Sequence, residues 1–340
     1  MSVGVNLIKK IFKIVLLLIL VVIGFFIVLY FMLPVQETKN LKWGISFSKF
    51  HAEELGLDWK KAYLDILNEL EVKRVRLSAH WTQIEPEKDK YSFQDLDFQI
   101  DEAQKNRVSV ILALGRRLPG WPECHIPSWV QNQPEDQQRK EILELIEILV
   151  NRYKNRETII NWQVENEYFF DVFARSACPE SDEDFLESEI ALVKELDPSR
   201  PVILTDSGEF GGWYSAYKRA DIFGSSLYLY VWNKKLGYIS YPIRPSFFVI
   251  RSFLIDLITF RKKSKIVSEL QAEPWEPRPL VDTQIETQLT HFGIDRFENI
   301  INFSKKTGFD TFYLWGAEWW YWMKLNGHPE FWDKVKDLLK

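Results

Sequence analysis

The chain of 340 residues is 46% apolar and 27% charged, enough to bury a full core and outside the composition of a disordered protein. Its formal net charge of −5 comes from interspersed signs, with no Lys/Arg run beyond residues 261–263, which argues against a nucleic-acid partner. Fourteen Trp exceed what packing needs, because a buried indole must find a partner for its N–H, and they suit a surface that stacks flat, weakly polar rings such as sugars.

The N-terminus is a separate object. Residues 14–33 are twenty consecutive uncharged positions, "IVLLLILVVIGFFIVLYFML", preceded by Lys9, Lys10 and Lys13. That length spans a bilayer, and the run lacks a small-x-small cleavage site, so an uncleaved signal anchor is expected. The lysines favour a cytoplasmic tail of residues 1–13; a linker over 34–41 and one large domain over 42–340 follow the span. This places the domain outside the cytoplasm, as a single-pass protein of the cell membrane.

Beyond the anchor, short β-branched or aromatic runs alternate with amphipathic helical patterns, the sequence form of successive βα units. The strands are "WGISFS" (43–48), "RVRLSAHW" (74–81), "VSVILALG" (108–115), a fourth from Ile159 into "NWQVENEYFF", "PVILTD" (201–206), "IFGSSLYLY" (222–230), "KIVSELQ" (265–271) and "FDTFYLWG" (309–316). A helical pattern follows each, the first with Asp58 as its expected N-cap. Eight such units predict a (β/α)8 TIM barrel; a doubly wound sheet is the alternative, but the Gly-rich first turn it usually carries is missing.

In a barrel, functional residues gather at the C-terminal ends of strands. Those ends carry Arg76 and His80, Arg116, Asn166 and Glu167, Asp206 and Glu209, Tyr228, Glu269, and Trp315 with Glu318. Cleaving a glycosidic bond needs one carboxylic acid for the leaving oxygen and a second carboxylate across the sugar, and Glu167 and Glu269 stand on strands about opposite in the ring. Asn166 is positioned for a 2-hydroxyl, and Arg76 and Tyr228 for Glu269; the two acidic groups together push Glu167 towards its protonated form.

"NE" on the fourth strand with "SELQAEPW" on the seventh resembles clan A of the glycoside hydrolases, the (β/α)8 superfamily with cellulase-like and β-galactosidase-like members. The resemblance covers about residues 42–338 and includes "RVRLSAHWTQIEPEKDKYSFQDLD". It implies retention of configuration, with Glu167 as acid/base, Glu269 as nucleophile, Asn166 as the 2-hydroxyl contact, Arg76 and Tyr228 as supports of Glu269, and Trp315 as a sugar platform. His80, Trp81, Trp121 and Glu318 are further candidates for substrate contact. The expected substrate is a β-linked glycoside or an oligo- or polysaccharide, with neither metal nor organic cofactor. A transglycosidase on the same glutamates and a non-catalytic carbohydrate-binding barrel are the alternatives.

Glu165 departs from the pattern: strand alternation puts it on the same side as Glu167, so a bulge is expected there, or else an assignment shifted by two residues. Glu273 is a weaker nucleophile candidate. Cys124 and Cys178 follow the third and fourth strands, so their loops share a face and a disulfide is reasonable; two free thiols are the alternative. Cys124 and His125 in "WPECHIPSW" have no other ligand cluster beside them, which disfavours a metal. The clusters "WGAEWWYW" (315–322) and "YLYVWN" (228–233) read as cleft walls with some rings buried. The helix over 246–260 is apolar around more than one stripe and leans on the membrane, on a partner, or only on the barrel. "NFS" at Asn302 matches a glycosylation acceptor but falls on a helix.

Overall fold

The computed structural model describes residues 10, 12–17, 20, 21, 24 and 28–340 except 175–177. Residues 18, 19, 22, 23 and 25–27 of the apolar run over 14–33 lie outside the described residues; among those described, no helix is long and apolar enough to cross a membrane.

Eight parallel strands close into a barrel. They are β1 (Lys42–Phe47), β2 (Arg74–Ser78), β3 (Ser109–Leu114), β4 (Ile159–Val164), β5 (Val202–Asp206), β6 (Ile222–Leu227), β9 (Ser264–Gln271) and β10 (Thr311–Trp315). β7 (Tyr230–Asn233) and β8 (Gly237–Ser240) form a separate antiparallel hairpin. β1 pairs with both β10 and β2, so the ring has no open edge, which excludes the doubly wound alternative.

Local chemistry starts the helices where the sequence suggests. Asp58 accepts from the backbone N–H groups of Lys60 and Lys61, both at 3.1 Å, capping helix Trp59–Glu69. Asp182 caps helix Glu183–Leu196 in the same way. Inside the barrel, Ile111, Ile203, Ile266 and Tyr313 form a small apolar plug, while the main core fills the shell between strands and helices.

Two expectations are corrected here. The segment after β10 is a helix, Ala317–Leu325, and its Trp319, Trp320 and Tyr321 are packed inside instead of walling a cleft. Part of the Trp content is also structural: Trp81, Trp162, Trp213, Trp319 and Trp320 are fully buried. Each finds an acceptor for its N–H, at Glu85, Asp197, the Ser207 carbonyl, Gln288 and the Ala272 carbonyl in turn. Composition could not distinguish satisfied core indoles from exposed platforms.

Candidate active site

At the C-terminal end of the barrel, the buried guanidinium of Arg76 on β2 ties three strands together. Its Nη1 donates to Glu269 Oε1 at 2.8 Å and to the Ser268 carbonyl at 3.3 Å, both on β9. Its Nη2 donates to Asn166 Oδ1 at 2.7 Å, and Nε to Gln163 Oε1 at 2.8 Å. Tyr228 completes the support of Glu269 by donating its hydroxyl to Oε2 at 3.1 Å. Both carboxylate oxygens of Glu269 thus accept a hydrogen bond. Strand pairing skips Ser268, so β9 bulges beside Glu269 and re-aims that stretch of strand.

Asn166 accepts at Oδ1 from Arg76, from Thr205 Oγ1 at 3.0 Å and from Gln163 Nε2 at 3.2 Å. Three donors on one oxygen fix the amide, and its buried Nδ2 has no protein partner. Glu167 follows, its backbone N–H donating to Thr205 Oγ1 at 2.8 Å and the residue 8% exposed. Burial raises Glu167 well above the usual carboxyl range, and the charges of Glu123 and Glu269 raise it further.

The alternation around Glu165 is broken, but not by a bulge. β4 ends at Val164, and Glu165 and Glu167 both take left-handed backbone, φ 56° and 44°; the register slip of β4 lies at its other end, beside Ile160. Glu165 consequently turns towards β3, where Oε1 accepts from the backbone N–H of Arg116 at 2.9 Å and Oε2 from that of Arg117. Gly115 allows this approach: its φ is +129°, and a Cβ there would lie 2.6 Å from the Glu165 carboxyl carbon. Glu165 is a buried loop clamp, its carboxylate committed to the loop after β3.

The sequence reading missed a third carboxyl. Glu123 sits in the loop after β3, next to Cys124, which forms a disulfide with Cys178 across a Cα–Cα distance of 5.5 Å. Burial pushes Glu123 up to about 8, reinforced by the charge of Glu269 and opposed by Arg117 and Arg76. The available signal was Cys124 beside it, since a disulfide at that position ties the adjoining loop residue to the barrel mouth.

On the opposite side, Trp315 donates Nε1 to Glu273 Oε1 at 2.8 Å, and Glu273 Oε2 lies 3.0 Å from His51 Nε2. The His51 ring stacks on Trp315 with centroids 6.2 Å apart. Burial works against charging His51, but the charge and hydrogen bond of Glu273 outweigh it and raise the imidazole well above its usual value. Glu273 is engaged here, away from the Arg76–Tyr228 support, and is not placed as a nucleophile. Glu318 accepts from the Ser48 backbone N–H, and burial pushes it up to about 7.

The remaining candidates separate by exposure. Trp81 is fully buried and bonded to Glu85, so it offers no surface to a sugar. His80 is also buried, with Nε2 3.0 Å from the Pro119 carbonyl and its ring 4.1 Å from that of His125; burial lowers it to about 4. Both are corrected to packing roles. Asp206 folds its own loop by accepting from the N–H groups of Ser207 and Trp213. Trp121, 66% exposed, and the partly exposed Trp315 remain open aromatic surfaces. Among the described residues, no group of three or more His, Cys, Asp or Glu is arranged to hold a metal.

Comparison with known proteins gives a consistent picture. A family profile, Glycosyl hydrolase family 10, matches residues 68–204, which include Arg76, Asn166 and Glu167. β-Galactosidase BgaA of Clostridium cellulovorans is 24% identical over 173 residues, covering 46% of this chain and 26% of that protein. A solved β-galactosidase from the haloarchaeon Halorubrum lacusprofundi superposes with a TM-score of 0.56 at 16% identity, over 81% of this chain and 52% of that one. The exo-β-1,4-mannosidase Op5Man5 from Opitutaceae bacterium strain TAV5 gives 0.55 at 14% identity, over 81% and 51%. The chain thus spans about a quarter of the curated relative and about half of these solved chains. At such identities the structural likeness is one of fold.

Proposed function

We propose that the chain, a member of the clan A superfamily of (β/α)8 glycoside hydrolases, cleaves a β-linked glycoside or polysaccharide with retention of configuration. The observation that carries this is the unequal setting of two glutamates at one barrel mouth. Glu269 has a donor on each oxygen, while Glu167 is held towards its protonated form.

In the first step a Glu269 oxygen attacks the anomeric carbon, the glycosidic C–O bond breaks, and the leaving oxygen takes the Glu167 proton. In the second, Glu167 removes a proton from water, whose oxygen attacks the anomeric carbon and releases the Glu269 carboxylate. Neither step needs a metal or an electron acceptor. Asn166 Nδ2 supplies a fixed donor for the 2-hydroxyl, and Trp315 a face for the ring.

We infer that the barrel lies outside the cytoplasm, tethered to the cell membrane by residues 14–33. The Cys124–Cys178 disulfide supports this reading, because such bonds persist in oxidising compartments.

Trapping with 2-deoxy-2-fluoro aryl β-glycosides tests the mechanism. A covalent glycosyl adduct on Glu269 is expected; an adduct on another residue, or undiminished hydrolysis by Glu269→Ala, would overturn it.

A further inference from the structure

Helix Pro245–Thr259 returns the chain from β8 to β9 down the outside of the barrel. It buries Phe248 and Ile255 inward. Its other side leaves Phe253 and Leu257 exposed at 62% and 54%, with Ile258 on the flank at 59% and Phe260 just past the helix end at 92%. Phe253 and Leu257 stand one turn apart, with Phe260 continuing the stripe, and the exposed Arg261 and Lys262 follow. Clustered large apolar side chains beside cations are unlike the isolated apolar residues of an ordinary surface.

The first turn of the same helix meets the described end of the N-terminal apolar run. Ser246 Oγ donates to the Tyr30 carbonyl at 2.7 Å, Tyr30 donates its hydroxyl to the Pro242 carbonyl at 3.0 Å, and the Arg244 guanidinium lies 5.9 Å from the Phe31 ring. Ser246 precedes Phe253 by two helical turns and so stands on the stripe side, yet it is buried. Tyr30 therefore covers the start of the stripe and leaves the rest open. Among the described residues of the N-terminal run, Leu17, Val21 and Phe31 are themselves 62%, 60% and 59% exposed. Two exposed apolar surfaces thus join at one corner of the barrel, and one medium can receive both.

We propose that Phe253, Leu257 and Phe260 seat this helix lengthwise on the lipid bilayer that residues 14–33 enter. The apolar side chains reach the boundary between headgroups and acyl chains, and Arg261 and Lys262 meet anionic headgroups. This contact rests on the anchor reading, and the test separates the two.

The full chain is reconstituted into phosphatidylethanolamine–phosphatidylglycerol vesicles containing a phospholipid with a photoactivated carbene precursor, then digested and mapped by mass spectrometry. Adducts are expected on residues 250–260 as well as 14–33. In the Phe253→Ser, Leu257→Ser, Phe260→Ser variant, labelling of 250–260 falls about fivefold or more while that of 14–33 persists. Adducts confined to 14–33 overturn the contact and leave the anchor standing; adducts in neither segment overturn both. A stripe protected from lipid in a chain that sediments as a dimer assigns the surface to a second copy and also overturns the proposal. The unsubstituted chain decides the matter even where the variant fails to fold.

Discussion

Arg76 determines which end of Asn166 faces the site. Its Nη2 bond of 2.7 Å, added to those from Thr205 and Gln163, commits the amide oxygen and leaves Nδ2 as the free donor. The same guanidinium reaches Glu269 at 2.8 Å, so one planar group sets the geometry of both Asn166 and Glu269.

Arg76→Lys keeps the charge and loses the fork, since an ammonium cannot serve Gln163, Asn166 and Glu269 from fixed directions. Steady-state kinetics on an aryl β-glycoside should show kcat reduced by about 10²-fold to 10³-fold. An unchanged kcat would mean that Asn166 and Glu269 hold their positions without it.

In the proposed mechanism Glu167 must be protonated to serve the leaving group, and the charge of Glu123 adds to the upward push on its carboxyl. Glu123→Gln removes that charge, so the Glu167 carboxyl titrates at lower pH. The alkaline limb of the kcat/KM profile is expected to move downward while the acid limb stays. A limb that does not move, in a variant that still binds substrate, would separate Glu123 from the proton chemistry.

Trp315 is held by Glu273 and backed by His51. Trp315→Phe removes the indole N–H and part of the stacking face and should raise KM about tenfold, with a smaller change in kcat. Glu273→Gln leaves an acceptor for the indole but removes the charge facing His51, so a milder rise in KM is expected. A larger loss in kcat than in KM, in either variant, would place this cluster in the chemistry and not in substrate positioning.

Glu189 supplies a stability prediction. It lies wholly buried on helix Glu183–Leu196, and burial raises its carboxyl well above the usual range, with the Glu165 charge adding to the effect. The folded protein therefore holds this proton to higher pH than the unfolded chain. Its share of stability is complete below the unfolded value of roughly 4.3 and is lost as pH rises through the raised folded one. Glu189→Gln abolishes the titration, so its Tm should fall less steeply than that of the native chain as pH is raised. Parallel Tm curves would show that Glu189 does not titrate in that window.

The barrel was legible because its strands announce themselves twice, by β-branched runs and by the polar residues that end them. Arg76, Asn166, Tyr228 and Glu269 were placed from strand position alone, and the structure joins them directly. What the sequence hid depends on torsion and on distant partners. Glu165 and Glu167 look equivalent by alternation, and only their positive φ sends one to the β3 loop. Trp319 and Trp320 look like cleft aromatics until Gln288 and the Ala272 carbonyl satisfy them inside. The β7–β8 hairpin escaped notice because each strand is only four residues long and neither is buried throughout.

Helix Pro245–Thr259 has one further consequence, which follows from its direction. Between β6 and β9 it must run antiparallel to the barrel strands. Laid flat on a bilayer, it sets the barrel axis parallel to the membrane plane, so the mouth with Glu167 and Glu269 opens sideways. A glycan standing out from the surface would then pass that opening broadside, and the height at which it is cut would be set by the radius of the barrel, whatever the length of the tether.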